Sequence, residues 1–266
     1  MFIDSHSHWS DRRILDLDLE PFLQMSFQNQ ISKFMFGGVD PEDWQRQIQL
    51  DQKYPETFYK CFGLHPYFVS LRSNTECESA LDQLVMLLND SIAIGETGLD
   101  FREITLKNES GDEFEVMSRQ IEFFENQLQM AQTFNKPIVL HIVKAHEKAL
   151  QVLDLFSHQT QKGFVHAFNG SFEVAQQYLK KGFYISVGGA VTFEKNHKLR
   201  EAIKKIPLES LLLESDTPDQ APFGWVGLNN SSSLWQIAEV VAELTQLNTQ
   251  EVMQISTNNF KKLFSL

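Results

Sequence analysis

The chain has 266 residues, of which 42% are hydrophobic, and its formal net charge at neutral pH is −12. This composition excludes a disordered chain, and the acidic charge excludes a protein that coats nucleic acid nonspecifically. A local cationic centre, such as bound metal ions, would still attract a phosphate group.

Eight short β-type runs alternate with helix-like segments along the chain. The predicted strands cover residues 2–8, 31–39, 58–65, 92–99, 137–143, 163–169, 183–189 and 211–216. The predicted helices cover residues 40–53, 78–90, 116–135, 145–158, 171–181, 195–205, 233–245 and 249–264. Such alternation implies parallel β-α units and predicts a TIM-type (β/α)8 barrel, which we expect to form one domain over residues 1–266. The alternative is an open doubly wound sheet, but the Gly-rich phosphate loop that usually follows its first strand is absent.

The most polar segment of the chain, residues 104–115, follows the fourth predicted strand. In a barrel this segment lies on the side of the active site, and we expect a long surface loop there. Loops of this length are often lids, and a tolerated surface insertion is the alternative.

Side chains that carry charge or bind metals stand at or near the ends of the predicted strands. His6 and His8 are two residues apart, so they share one face of the first strand. Six further residues of this kind follow apolar runs on later strands: His65, Glu96, His141, His166, Glu214 and Asp216. A single buried histidine is more often a hydrogen-bonded core residue than a ligand. Polar groups from many strands that converge on one cavity, however, predict a metal site, because burying them is otherwise costly.

The predicted ligands are four imidazoles and two carboxylates, without a thiolate: His6, His8, His141, His166, Glu96 and Asp216. This set suits Zn, Mn, Co, Ni or Fe, and its oxygen atoms leave room for Mg. Six donors are too many for one tetrahedral ion with an open position. We therefore expect two divalent metal ions that share a bridging carboxylate. Glu96 is the predicted bridge because its strand lies between the two histidine groups.

The motifs DSHSH, GLHP, IGETGLD, LH, HAFNGS and ESDTP follow one another on successive predicted strands. This series resembles the TatD family of metal-dependent hydrolases, which are amidohydrolase-type barrels, over essentially the whole chain. The resemblance implies that His6, His8, Glu96 and Asp216 hold one ion and that Glu96, His141 and His166 hold the other. It also implies a deoxyribonuclease, often a 3′–5′ exonuclease, that acts on DNA ends.

The chain departs from the family pattern at positions beside the ligands. Ser7 stands where the family usually has Cys or another small residue, and Ile142 and Val143 stand where it commonly has Arg and Asp. The segment 227–232 lacks the Arg and Pro that usually follow ESDTP. Two of these changes remove a cation near the mouth of the site. Hydrolysis of a small-molecule ester, amide or phosphoester therefore remains the alternative to DNA cleavage.

We expect three residues to act in catalysis: Asp216, Glu96 and His65. Two divalent ions would lower the pKa of a water molecule, and Asp216 would orient or deprotonate it. His65 would donate to a substrate phosphate oxygen, with capping of the turn before Pro66 as the alternative. Glu214 is expected to hydrogen-bond a ligand from behind, with a proton shuttle as the alternative.

Four other kinds of residue have less specific expectations. Arg102 is either an anion contact or a solvated surface residue. Phe223 and Trp225 either stack on a base or pack against the barrel rim. The remaining histidines are expected at the surface: His146, His158 and His197.

Cysteine usage and the lengths of apolar runs bear on the cellular compartment. Only Cys61 and Cys77 are present, without a CxxC motif, which fits a reducing compartment. No secretory signal pattern and no apolar stretch long enough to span a bilayer occur. We expect a cytoplasmic protein that needs no membrane and shows no evident obligate protein partner.

Overall fold

The computed structural model describes residues 1–107, 112–156 and 162–266. Within these ranges the chain forms nine β-strands: β1 (Phe2–Ser7), β2 (Ile31–Phe36), β3 (Phe58–Tyr59), β4 (Cys61–Phe62), β5 (Ala93–Asp100), β6 (Ile138–Val143), β7 (Gly163–Val165), β8 (Phe183–Val187) and β9 (Leu211–Leu213).

Twelve α-helices lie in the same described ranges: α1 (Arg12–Leu15), α2 (Leu19–Gln28), α3 (Pro41–Lys53), α4 (Pro66–Leu71), α5 (Asn74–Leu87), α6 (Glu103–Leu106), α7 (Glu113–Thr133), α8 (His146–Leu155), α9 (Phe172–Lys180), α10 (His197–Ile203), α11 (Leu234–Thr245) and α12 (Thr249–Phe264). Among the described residues, none of these helices combines the length and the apolar content that crossing a bilayer requires.

The strands are all parallel and follow one another in chain order. β1, β2 and β3 pair as one group, and β4 to β9 pair as another. Lys60 separates β3 from β4, so the third predicted strand is divided into two short pieces. β1 lies beside β9 and the residues that follow it. Ser5 Oγ donates to Leu213 O at 2.7 Å, and Asp216 N–H donates to His6 O at 3.1 Å. The predicted (β/α)8 barrel is confirmed.

Each predicted strand and each predicted helix has a counterpart in the structure, whereas α1, α2, α4 and α6 are not predicted from the sequence pattern. The N-terminus of α2 is capped by Asp18, and its Pro21 lies in the first turn, where proline is tolerated. The segment 104–115, expected to be a loop, belongs at its two ends to α6 and α7. Residues 108–111 within that segment lie outside the described residues.

Two apolar clusters pack against the strands, one outside the barrel and one inside it. The larger one lies between the strands and the helices. The smaller one fills the interior of the barrel with residues from β1, β2, β4, β5, β6, β7 and β9 and from α12: Ile3, Met35, Cys61, Ala93, Val139, Phe164, Leu212, Phe260 and Leu263. Because side chains alternate along a strand, residues two and four positions after this layer point inward nearer the carboxyl ends.

A buried glutamine on α7 ties that helix to the carboxyl ends of two strands. Gln127 Nε2 donates to Leu64 O at 3.1 Å and to Thr97 Oγ1 at 2.6 Å, while Gln127 Oε1 accepts from Leu64 N–H at 2.8 Å. Thr97 directly follows Glu96, so this contact also holds the strand that carries the predicted bridging carboxylate. Both backbone groups of Leu64 therefore depend on one side chain.

We expect Gln127→Leu to lower the free energy of unfolding by about 2–4 kcal/mol, because it leaves a buried N–H and a buried C=O of Leu64 without partners. Chemical denaturation measures this loss. Gln129→Leu on the exposed face of the same helix is the matched control and should change stability by no more than about 0.5 kcal/mol. Equal stabilities of the two variants would contradict this role of Gln127.

His146 is not the surface residue expected from the sequence. Its Nδ1 atom lies 3.1 Å from Tyr178 Oη, and its ring lies 5.6 Å from that of Phe168. Burial, with a smaller effect of the charge on Lys198, lowers the pKa of His146 to about 4. His197 is exposed, as expected, and His158 lies outside the described residues.

The folded chain thus binds a proton at His146 less readily than the unfolded chain does, so stability should fall as the pH drops from about 6.5 towards 4. Because glutamine does not titrate, we expect the free energy of unfolding of His146→Gln to fall by about 1–2 kcal/mol less than that of wild type between pH 7 and pH 5. Denaturation curves at both pH values measure the difference, and His197→Gln is the exposed control. If the stability of wild type and that of His146→Gln depend on pH in the same way, the lowered pKa of His146 is contradicted.

Candidate metal centre

A cavity of about 660 Å³ opens at the carboxyl ends of the strands. Five of the six predicted ligands line it, together with His65: His8, Glu96, His141, His166 and Asp216. The sixth, His6, is fully buried beside them. The structure therefore brings together all the residues that the sequence places in the site.

The local structure that delivers these side chains differs between strands. His141 in β6 and His166 directly after β7 continue the inward alternation that begins at Val139 and Phe164. Asp216 lies three residues after β9, at a positive φ of 52°. His6 and Glu96, in contrast, each lie three residues after an inward apolar residue. The pairings of β1 and β5 both contain register shifts next to these positions, and such irregularities re-aim a side chain.

Glu96 lies at the centre of the site, and each of its two carboxylate oxygens faces two imidazole nitrogens. Glu96 Oε1 lies 3.2 Å from His6 Nε2 and 3.1 Å from His8 Nε2. Glu96 Oε2 lies 2.8 Å from His166 Nε2 and 3.1 Å from His141 Nδ1. The donor atoms thus form two groups, one on each side of a shared carboxylate.

Asp216 completes the first group. Its Oδ1 atom lies 3.3 Å from His8 Nε2 and 3.7 Å from His6 Nε2, and its Oδ2 atom accepts a hydrogen bond from Gln220 Nε2. In the second group, His141 Nδ1 lies 3.0 Å from His166 Nε2.

His65 reaches the second group from the N-terminus of α4. Its Nδ1 atom accepts the Tyr67 N–H at 2.9 Å, which places the proton of the neutral ring on Nε2. That Nε2 atom lies 3.1 Å from His141 Nδ1. Burial, followed by the charge on His141, holds the pKa of His65 well below its usual range. His65 therefore caps the helix and also directs an N–H donor into the cavity, so its Nε2 does not offer a lone pair to a metal ion.

Two carboxylates support the second group from behind. Glu214 Oε1 lies 3.5 Å from His166 Nδ1, in the supporting position expected from the sequence, and Glu214 also accepts from Ala167 N–H and Ser186 Oγ. Asp100 Oδ2 lies 3.6 Å from His141 Nε2. Asp100 is the last residue of the motif IGETGLD, which is the only sequence signal that could have revealed it.

The electrostatics of the site centre on Glu96. Burial opposes its charge, but the imidazoles of His166, His6 and His8 outweigh burial and hold the pKa of Glu96 well below its usual range. Burial opposes protonation of His8 and His166 as well, yet Glu96 raises the pKa of both well above the usual value. The buried carboxylate therefore requires positive charge beside it.

The donor set fits divalent cations. Ligand atoms about 2.0–2.1 Å from a tetrahedral ion stand about 3.3 Å apart, close to the separations within each group. Asp216 Oδ1 is buried and has no hydrogen-bond partner among the described residues. Nitrogen and oxygen donors without a thiolate suit Zn, Mn, Co or Ni.

Gly37, just after β2, leaves the space that the site needs. A Cβ atom at this position would stand 2.5 Å from His8 Cε1 and 2.6 Å from both Glu96 Oε1 and His6 Cε1. Any side chain would therefore displace the ligands. The doubled glycine in KFMFGGV is a weak sequence signal for such a close approach.

Two arginines line the mouth of the cavity, and both are paired with carboxylates. Arg102 donates to Asp100, and Arg13, which the sequence does not single out, donates to Asp11 and Asp219. Asp11 and Asp219 line the mouth as well. The mouth therefore contains cations whose charges are already balanced.

Comparison with known proteins places these features in a family context. The model of a family described as TatD related DNase matches residues 3–265. An uncharacterized metal-dependent hydrolase of Buchnera aphidicola is 33% identical, with 99% of each chain covered. The uncharacterized metal-dependent hydrolase YabD of Bacillus subtilis is 32% identical over the full length of both chains. The crystal structure of YjjV, a TatD homologue from Escherichia coli, superimposes with a TM-score of 0.86 at 30% identity and covers 100% of this chain and 98% of its own.

Removal of metal should destabilise the protein, because an ion that binds only the folded state stabilises it by about 4 kcal/mol at a thousand times its Kd. We expect Mn²⁺ or Zn²⁺ to raise the Tm of chelator-treated protein by on the order of 10 °C. Glu96→Gln should lose this increase, as measured by differential scanning fluorimetry. Glu103→Gln, an exposed change outside the metal centre, is the matched control. An undiminished increase in Glu96→Gln would contradict a centre at Glu96.

Proposed function

Because this chain belongs to the TatD family of metal-dependent hydrolases, we propose that it is a deoxyribonuclease that cleaves phosphodiester bonds at DNA ends, as a 3′–5′ exonuclease. The observation that carries this proposal is the central Glu96 carboxylate, whose two oxygens each face a separate group of imidazole nitrogens. This arrangement is suited to two cations and to hydrolysis at a phosphorus centre.

We assign His6, His8, Glu96 and Asp216 to one ion and Glu96, His141 and His166 to the other. The separations of 3.0–3.3 Å between donor atoms on neighbouring side chains support this division. When bound, the two ions supply an activated water molecule at neutral pH and polarise the phosphoryl oxygen.

Asp216 is the proposed general base. Its Oδ2 atom is fixed by Gln220 Nε2, while its Oδ1 atom is buried without a hydrogen bond from the described residues. A carboxylate oxygen in this position can orient the attacking water and accept its proton. His65 would then donate its Nε2–H to a non-bridging phosphate oxygen, where negative charge increases in the transition state. Its lowered pKa favours the neutral ring, and the hydrogen bond from Tyr67 N–H to Nδ1 places the proton on Nε2.

A second candidate function is hydrolysis of a small-molecule ester, amide or phosphoester. The acidic mouth favours it, because Asp11 and Asp219 line the cavity and balance the charge of Arg13. A DNA strand would bring further negative charge to that mouth. A small substrate would reach Glu96 without passing several phosphates along these carboxylates.

We expect metal-loaded wild type to shorten a 5′-labelled single-stranded oligonucleotide from its 3′ end in the presence of Mg²⁺, Mn²⁺ or Zn²⁺. Asp216→Asn should lower kcat by about 10²- to 10⁴-fold, since an amide cannot accept the proton of the attacking water. Product ladders on denaturing gels measure the rates. Asp82→Asn, on the exposed face of α5, should retain full activity.

A panel of small esters, amides and phosphoesters, tested with the same metal-loaded protein, separates the two candidate functions. If the protein hydrolyses a member of the panel but cleaves no DNA with any of the three metals, the deoxyribonuclease is contradicted and hydrolysis of a small molecule is favoured. Equal turnover by Asp216→Asn and wild type would contradict the proposed site for either substrate.

A further inference from the structure

Two phenylalanine rings stand exposed next to the metal centre. Phe223, in the loop after β9, is 65% exposed, and Phe193, which follows β8, is 43% exposed. Their ring centroids are 5.7 Å apart, and the ring planes are inclined by 75°. In this edge-to-face arrangement one ring packs against its neighbour and still leaves an aromatic face open. Trp225 in the same loop is half-buried and donates its Nε1–H to Leu228 O at 3.2 Å.

The backbone that carries Phe223 is fixed in place. Phe223 N–H donates to Thr192 Oγ1 at 2.7 Å, and Gln236 Nε2 donates to Phe223 O at 2.7 Å. The same loop packs so closely on the segment after β8 that a Cβ atom at Gly189 would stand 1.9 Å from Gln220 O. The exposed ring is therefore held on an anchored backbone, as a recognition surface requires.

Phe193 borders a second cavity of about 370 Å³, whose walls also include two asparagine side chains. Asn196 Nδ2 donates to Asn169 Oδ1 at 2.9 Å and to Ala190 O at 3.2 Å. Because the carbonyl of Ala190 can only accept, the orientation of both amides is fixed. Within the described part of the chain, Asn169 Nδ2 and Asn196 Oδ1 have no hydrogen-bond partner. The pair thus offers one donor and one acceptor, a combination that suits the edge of a nucleobase.

This cavity adjoins the metal centre. Gln220 lines both cavities, and its Nε2 atom donates to Asp216 Oδ2. Asn169 lies three residues after His166 in the segment HAFNGS. The asparagines and the aromatic rings therefore lie on the far side of Gln220 from a ligand held at Glu96.

We infer that a base-binding subsite is formed by four residues: Phe223, Phe193, Asn169 and Asn196. In this subsite the nucleobase next to the scissile phosphate stacks on the ring of Phe223, and the asparagine amides contact the edge of that base. This inference rests on the proposed deoxyribonuclease function and specifies its substrate as single-stranded DNA with an unpaired base at the cleaved position. An aromatic face accepts any base, so the subsite recognises an unstacked base more than a particular sequence.

The test compares kcat/KM for three single-stranded oligonucleotides of one sequence: one intact, and two with an abasic residue on either side of the scissile phosphate. Phe223→Ala should lower kcat/KM for the intact strand by about 5- to 150-fold, the range that loss of one base stack gives. On one of the two abasic strands, Phe223→Ala and wild type should be equal. Phe223→Tyr, which keeps the aromatic face, should retain the activity of wild type.

Phe27→Ala is the matched control, because Phe27 is an exposed aromatic residue in the last turn of α2, at the opposite end of the barrel. Equal losses for Phe223→Ala on the intact strand and on both abasic strands would show a merely structural role and overturn the subsite. No loss on the intact strand would overturn it as well. Failure of wild type to cleave any of the strands would instead overturn the proposed function, and the subsite with it.

Discussion

The end of this barrel that holds the candidate metal centre depends on one buried carboxylate. A charged group that has been removed from water is unstable unless opposite charge compensates it, and Glu96 is almost completely buried. The surrounding imidazoles supply that charge as imidazolium groups, or they bind cations that supply it. Asp100 and Glu214 stand behind two of these rings, 3.6 Å from His141 Nε2 and 3.5 Å from His166 Nδ1. The strands that hold this arrangement therefore cannot shift in register without leaving a charge unpaired.

Much of the fold and part of the site follow from simple periodicity in the sequence. Apolar runs of strand length that alternate with amphipathic segments predict the strands and the longer helices, because burial on both faces of a parallel sheet imposes this pattern. The same alternation leads from Val139 and Phe164 of the interior layer to His141 and His166, two residues further along the chain. For these two residues the sequence alone predicts a side chain that points into the barrel.

The rest of the site depends on features that a pattern along one strand does not encode. His6 and Glu96 reach the cavity beside register shifts in β1 and β5, which arise from pairing with neighbouring strands. A side chain at position 37 is excluded by atoms of His6, His8 and Glu96, which lie far from it in the sequence. The pairing of Arg13 with Asp219 is evident only when α1 and the loop after β9 are placed together. The sequence predicts His6 and Glu96 as ligands but not the register shifts that aim their side chains, whereas Gly37 and Arg13 became evident only from the structure.

The apolar layer inside the barrel has a consequence for how a polymer would be handled. Side chains from seven strands, with Phe260 and Leu263 of α12 beneath them, plug the interior below the metal centre. A chain molecule cannot be threaded through such a plug, so the reacting end must enter and its products must leave by the same mouth. If the substrate is a DNA strand, as proposed, each cleavage would be followed by retreat of the shortened polymer, and the speed of that departure would limit how many cuts a single encounter can produce.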